Sequence, residues 1–234
     1  ISFAPMPYGL QLTSLRPIND QITHTRVTNA IFPSTFVIPL SETMTITQIH
    51  VPVDDTKNYW YAIFTSFDAP VDKEVMRNQR LEAVTLPDYI PKSGQHNNWG
   101  FSADEQQSRT YLGMGESDIN VHDQWACESM GAIQDRTREH LGTTDKVIMA
   151  NRRNLIKAIE TVQAGGTPPG VADSEIAAHR MGPDTVDGLA PTGGVEAWWR
   201  HAVQAKRDNA PWDASLKPIA EPLAAEYSPH EEAS

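Results

Sequence analysis

From Gln21 to Ser66 the apolar positions are held mostly by Thr, Val, Ile, Phe and Tyr and are interrupted by Pro33, Pro39 and Pro52. That composition suits short strands joined by turns rather than helices. Three strands are predicted: ITHTRVTNAIF from Ile22, TMTITQIHVPV from Thr43 and YWYAIFTSF from Tyr59, with Ser41 to Glu42 and Asp54 to Asn58 as connections. In the second, Met44 and Ile46 are followed by Ile49, Val51 and Val53, and this change of apolar parity predicts a bulge.

The pattern changes further along. Pro70 to Asn98 is polar, carries Pro87, Pro91 and Gly94, and reads as a partly helical excursion followed by a loop. SADE at Ser102 has an N-cap serine with Glu105 three positions on, a capping box that opens a short helix to about Leu112 before Gly113 and Gly115. From Asp145 to Ala164, Ile148, Leu155, Ile159 and Val162 recur at helical spacing, and Gly165 and Gly166 supply a stop. GGTPPG reads as a linker; beyond it come Gly/Pro turns, a short helix carrying Trp198 and Trp199, and a polar tail, SPHEEAS, that reads as disordered. Strands followed by one long helix give an α+β class, a curved antiparallel sheet with the helix packed across it. The expected division is residues 1–166 for sheet and helices and 167–234 for a C-terminal extension.

Charge and cysteine usage narrow the functions. Against 30 Asp and Glu stand 19 Lys and Arg, a net charge of -11, so the electrostatic term that dominates nucleic-acid binding is repulsive and a nucleic-acid partner is not expected. No window approaches the roughly 18 apolar residues of a membrane span. The opening ISFAPMPYGL lacks the basic and apolar regions of a secretory signal. One cysteine, Cys127, allows neither an internal disulfide nor the paired thiolates of an iron–sulfur cluster, and points to a reducing cytoplasm.

Three longer segments carry more specific information: HVPVDDT at His50, DQWACESMGAIQDRTREHLGTTDK at Asp123, and MGPDTVDG at Met181. In this order, from about Tyr8 to Trp212, the chain resembles the catalytic half of the Rieske non-heme iron oxygenases, specifically the phthalate dioxygenase-like oxygenase subunits. The resemblance implies a helix-grip, START-like fold and an enzyme that hydroxylates or oxidatively demethylates an aromatic substrate with O2. It also implies mononuclear Fe(II), a [2Fe–2S] Rieske cluster fed from NAD(P)H through a reductase or ferredoxin, and a trimeric unit in which one protomer's cluster serves another's iron. In the family the iron is held by two His and one carboxylate. No two of the eight histidines here have the close spacing of the family's pair, and the cluster motif is also missing. The expectation is therefore a portion of a larger subunit, with the Rieske domain and the paired histidines upstream of Ile1. A non-catalytic helix-grip module that binds a small molecule is the alternative.

The resemblance puts the carboxylate ligand near the start of the helix in NNWGFSADEQQSRTYLGMG. An ungapped match places Ser102 at the family's aspartate, and Asp104, two residues on, is the candidate ligand. The competing reading has Ser102 as the cap and Asp104 as a first-turn acid that complements the helix dipole. Asp54 and Asp55 read as turn formers rather than an acid–base pair. Asp123, Glu128, Asp135, Arg136, Arg138 and Glu139 read as a salt-bridged network fixing the connection to the long helix. His96, Asp104 and His122 have the composition of a metal triad without its spacing. Cys127 reads as a small buried thiol, and Arg26 and Arg109 as possible partners for a substrate carboxylate.

Overall fold

The structure is a computed structural model that describes residues 1–115, 119–169 and 184–211. The chain forms two units: Ile1–Val53, Asn58–Pro70 and the described residues from His140 onward make the first, and Asp54–Lys57 with Val71–Glu139 the second.

The first unit is an antiparallel sheet of seven strands: β1 (Ser2–Met6), β2 (Gly9–Pro17), β3 (Ile22–Ile31), β4 (Thr35–Pro39), β5 (Met44–Pro52), β6 (Asn58–Ser66) and, after an excursion through the second unit, β9 (Val186–Pro191). The strands run β1 to β6 in chain order, and β9 pairs with β3. The second unit contains a two-stranded ribbon, β7 (Val84–Thr85) and β8 (Ile90–Pro91). β3 organises the sheet because both of its edges are used. β2 lines one edge, while β4 pairs with Asn29 to Ile31 and β9 with Ile22 to Val27 on the other.

The burial of β3 alternates as a half-covered strand requires, with Thr23, Thr25, Val27 and Asn29 on the covered side and His24, Arg26 and Thr28 half-buried opposite. The cover is α5 (Val195–Asn209), whose Val203 closes on Val27 and Val186 with Trp198, Trp199 and Ala202 around them. Each such side chain contributes about 1.5–3 kcal/mol by leaving water. Gly188, which pairs with Thr25 on β9, makes room for this layer: a Cβ there would sit 2.9 Å from the ring of Trp198.

Buried polar groups tie the layer together. Asn29 is fully buried; its Oδ1 accepts from the Tyr8 hydroxyl at 2.7 Å and its Nδ2 donates to the Asp184 carbonyl at 2.6 Å. Asp184 holds Arg207 of α5 through Nε at 2.8 Å. Lys206 donates to the Thr185 carbonyl at 2.6 Å and lies 4.5 Å from the centre of the Phe67 ring. Burial pushes the Lys206 ammonium down to about 8, and burial with the nearby Asp184 charge pushes the Tyr8 phenol up to about 12.

The long helix forms where its periodicity and stop signals predict it. It is α4 (Lys146–Gln163), entered through a turn in which Gly142 N–H donates to Asp145 at 2.7 Å and left through Gly165 in the left-handed region. It runs beside β1 and β2. Its expected inward face is a correction: Ala158 is buried and Leu155 half-buried, but Ile148, Ile159 and Val162 remain 41%, 56% and 54% exposed. The bulge in β5 is absent too. Its register with β6 is continuous from Met44 to Pro52, and the parity change arises because Ile46 lies on one face while Ile49 and Val51 lie on the other. The three predicted strands are otherwise present, as β3, β5 and β6 of an antiparallel sheet. β1, β2, β4 and β9 are strands beyond those that the sequence pattern predicts.

Gly188→Ala should cost about 1–3 kcal/mol by overpacking against Trp198. Gly193→Ala, where an added Cβ meets nothing within 4 Å, should stay within about 0.5 kcal/mol. Urea unfolding of both variants checks the pair. A second test uses pH. With Lys206 lowered in the folded state, the unfolded chain binds more protons between pH 8 and 10.5, so this group's contribution to stability rises with pH there. Tyr8 acts oppositely between pH 10 and 12. The stability of Lys206→Met relative to the parent should therefore fall from pH 7 to 9.5; a difference independent of pH contradicts the burial of a charged ammonium.

Candidate functional site

The candidate ligand lies in the second unit. Its helices are α1 (Lys73–Glu82), capped by Asp72 through the Glu74 and Val75 N–H groups at 3.0 Å, α2 (Ala103–Ser108) and α3 (Asn120–Glu128). A tight turn from Gln95 to Gly100 puts Asn98, Trp99 and Gly100 at positive φ and buries Trp99, whose indole N–H donates to Glu128 Oε2 at 2.8 Å.

Ser102 caps α2: its Oγ accepts from Glu105 N–H at 3.2 Å, as the sequence predicts. The other half of the capping box does not form. Glu105 instead turns its carboxylate to Thr110 Oγ1 at 2.9 Å and Gly115 N–H at 2.8 Å, and these hydrogen bonds hold its pKa below the ordinary value. Ser102 N–H is taken by the Gly113 carbonyl at 2.8 Å. Gly113 is at φ +69 and packs so closely that a Cβ would meet the Ser102 carbonyl oxygen at 2.7 Å. This closure ends α2 at Ser108, well before Leu112.

Asp104 therefore stands in the first turn of α2, exposed, with its carboxylate in no hydrogen bond or ion pair among the described residues. Its geometry satisfies the dipole reading and leaves both oxygens free for a cation. Among the described residues no group of three or more His, Cys, Asp or Glu is placed to hold a metal ion, so His96, Asp104 and His122 do not form a triad. One carboxylate is a suitable donor for Fe(II) but is not by itself a site; any further ligands are not assembled here.

The other candidates separate by their partners. Asp54 organises a turn through Thr56 N–H at 2.8 Å and Thr56 Oγ1 at 2.9 Å, as expected. Arg26 is engaged by Asp187 at 2.7 Å and the Pro39 carbonyl at 2.9 Å, and Asp187 also meets His24 Nε2 at 2.5 Å. Arg109 lies 3.4 Å from Glu105. Neither arginine is an unoccupied carboxylate clamp. In the expected acid–arginine network, Arg136 meets Glu139 at 3.6 Å, Asp135 caps its own turn at Thr137, and Asp123 accepts from Asn120; these are local contacts. Cys127 is exposed rather than buried, and partial burial with the acids Asp123 and Glu128 raises its thiol pKa, which makes it a weak nucleophile.

Sequence reasoning missed two features. The His24, Arg26 and Asp187 cluster joins residues 161 or more positions apart, and nothing local signals it. His122 has both ring nitrogens buried with no hydrogen-bond partner among the described residues. HVPVDDT spans the end of β5 and its turn, and DQWACESMGAIQDRTREHLGTTDK spans α3 and the turns ahead of α4. The start of MGPDTVDG lies outside the described residues, as do Trp212 and the tail; its last residues lead into β9.

Residues 2–212 match the family described as LigXa C-terminal domain like. The chain is 28% identical over 178 residues to the 3-chlorobenzoate-3,4-dioxygenase oxygenase subunit of Comamonas testosteroni, covering 68% of this chain and 41% of that protein. It is 26% identical over 176 residues to the phthalate 4,5-dioxygenase oxygenase subunit of Pseudomonas putida, covering 72% and 40%. The chain thus spans about two fifths of the length of these curated relatives. With a matching profile across almost its whole length and an α+β sheet-and-helix fold, the chain belongs to the family of ring-hydroxylating oxygenase C-terminal domains described as LigXa C-terminal domain like.

Proposed function

We propose that this chain is the catalytic-domain portion of a Rieske-type oxygenase subunit that hydroxylates or oxidatively demethylates an aromatic carboxylate. The carrying observation is that both relatives, matched over about 70% of this chain, are oxygenase subunits of dioxygenases named for 3-chlorobenzoate and phthalate. Both named substrates are aromatic carboxylates. The reading includes a mononuclear Fe(II), whose open coordination positions supply O2 activation when the metal is bound, and a Rieske cluster in a separate domain. It also includes electrons from NAD(P)H through a reductase or ferredoxin, and a trimeric unit in the cytoplasm. Among the described residues no helix is long and apolar enough to cross a membrane.

Within this reading Asp104 is the iron carboxylate. Its support is chemical: it is the free acid at the start of α2, whereas Glu105 is committed to Thr110 and Gly115 and Ser102 to the helix cap. A serine hydroxyl is a poor Fe(II) donor at neutral pH. Ser102 and Gly113 fix the backbone from which Asp104 projects, so their role is to orient the carboxylate. The competing reading, a non-catalytic helix-grip binding module, predicts no iron.

The test uses a polypeptide that includes an upstream histidine pair and Rieske domain, supplied with a reductase and offered phthalate or 3-chlorobenzoate. Iron-dependent product from the parent supports the oxygenase reading, and an iron-free, inactive but folded parent rejects it. Asp104→Ala should lower iron occupancy about tenfold or more and abolish product with circular dichroism unchanged. Ser102→Ala should cost about 1 kcal/mol of stability and keep the iron. Retained iron and activity in Asp104→Ala removes Asp104 from the site.

A further inference from the structure

The clamp around α2 is local, but the turn that delivers the chain to it is held from a distance. Asn98, Trp99 and Gly100 are consecutive left-handed residues, at φ +50, +52 and +72. That conformation suits glycine and strains a bulky residue, so a tryptophan in the middle must be kept there by contacts of its side chain. Trp99 is 5% exposed, and an indole N–H can only donate. Buried without an acceptor it would be destabilising, and Glu128 Oε2 of α3 receives it at 2.8 Å. The same oxygen accepts from Gln124 Nε2 at 3.1 Å, and that nitrogen also donates to the Ser93 carbonyl at 2.7 Å. α3 thus grips the chain ahead of the turn as well as within it. Inside the turn, Trp99 N–H donates to the Gly94 carbonyl at 2.8 Å, and Asn97 accepts from Gly94 N–H at 3.0 Å and donates to the Lys92 carbonyl at 2.9 Å. Glu128 is itself exposed and needs no partner to be satisfied; its carboxylate serves the tryptophan.

We propose that Glu128 is a positioning residue for the Asp104 carboxylate and acts through the Trp99 indole. The backbone between the two is bonded at successive residues: Phe101 N–H donates to the Asn98 carbonyl at 2.9 Å, and Ser102 N–H to the Gly113 carbonyl at 2.8 Å. A shift of the indole is therefore passed to the cap and to the first turn of α2, where Asp104 stands five residues after Trp99. With no side-chain bond of its own among the described residues, Asp104 takes its direction from the backbone beneath it. The inference rests on the reading of Asp104 as the iron carboxylate. It adds a residue 29 positions along the chain from the tryptophan that it holds.

The test uses the polypeptide that includes the upstream histidine pair and Rieske domain. It reads the Fe(II) affinity of the mononuclear site by anaerobic titration, together with hydrogen exchange at the Ser102, Glu105 and Gln106 amides. Glu128→Leu should weaken Fe(II) binding about tenfold or more and speed exchange at those amides at least about tenfold, with exchange in α4 unchanged. Trp99→Phe keeps an aromatic ring but loses the donor, and should do the same. The double variant should be no worse than either single one, because both remove one contact. Glu128→Gln, whose amide oxygen can still accept, should restore both readouts. Faster exchange with unchanged Fe(II) affinity makes Glu128 purely structural and overturns the proposal, as do additive losses in the double variant or a Glu128→Leu variant that matches the parent. A parent that binds no Fe(II) is a separate result: it removes Asp104 as a ligand, and Glu128 with it.

Discussion

Everything in the larger unit depends on β3 being satisfied along both edges and covered on one face. Strand pairing alone would leave β9 as a short segment with the sequence VDGLAP, whose adjacent aspartate and glycine give it little strand propensity of its own. What holds it is Asn29. A buried amide offers two donors and two acceptors; here it accepts a hydrogen bond from the Tyr8 hydroxyl and donates one to the backbone carbonyl of Asp184, two residues before β9 begins. Asp184 then receives Arg207, so α5 is tied to the same point that places β9. Leaving any of these groups buried without a partner would cost about 1–3 kcal/mol, which is why hydrophobic contact at Val27, Val186 and Val203 and polar contact at Asn29 act together.

The site is organised on a different principle. Around α2 the interactions among the described residues are local: Ser102 to Glu105, Glu105 to Thr110 and Gly115, and Gly113 back to Ser102. Such a closure fixes the backbone of a six-residue helix that could not hold itself in isolation. It sorts three neighbouring polar residues into a cap, a loop clamp and a free acid. The functional reading rests on that sorting, and on relatives that act on aromatic carboxylates by name.

Legibility in the sequence follows the same division. α4 could be read because its signals are local: periodic apolar residues, an entry turn and paired glycines at its end. β5 and β6 could be read from β-branched and aromatic residues, but the predicted bulge does not form, because apolar residues on an incompletely covered sheet need not keep to one face. β9 escaped notice because its partners lie more than 150 residues away and its packing depends on Gly188 accepting a tryptophan ring. At the site, the cap at Ser102 was visible in advance, whereas the diversion of Glu105 from the box required knowing that Gly113 to Gly115 fold back over the helix. Arg26 looked available to a substrate only while Asp187 was out of sight.

The central claim is that Asn29 couples the strands to the C-terminal elements, and the most direct measurement is hydrogen exchange on Asn29→Leu, a near-isosteric loss of all its polar contacts. The account predicts a global loss of about 2–4 kcal/mol, with the amides of Val186 to Pro191 and of α5 losing protection more than those of β5 and β6. Uniform loss across the sheet, or retained protection in β9 and α5, would contradict it.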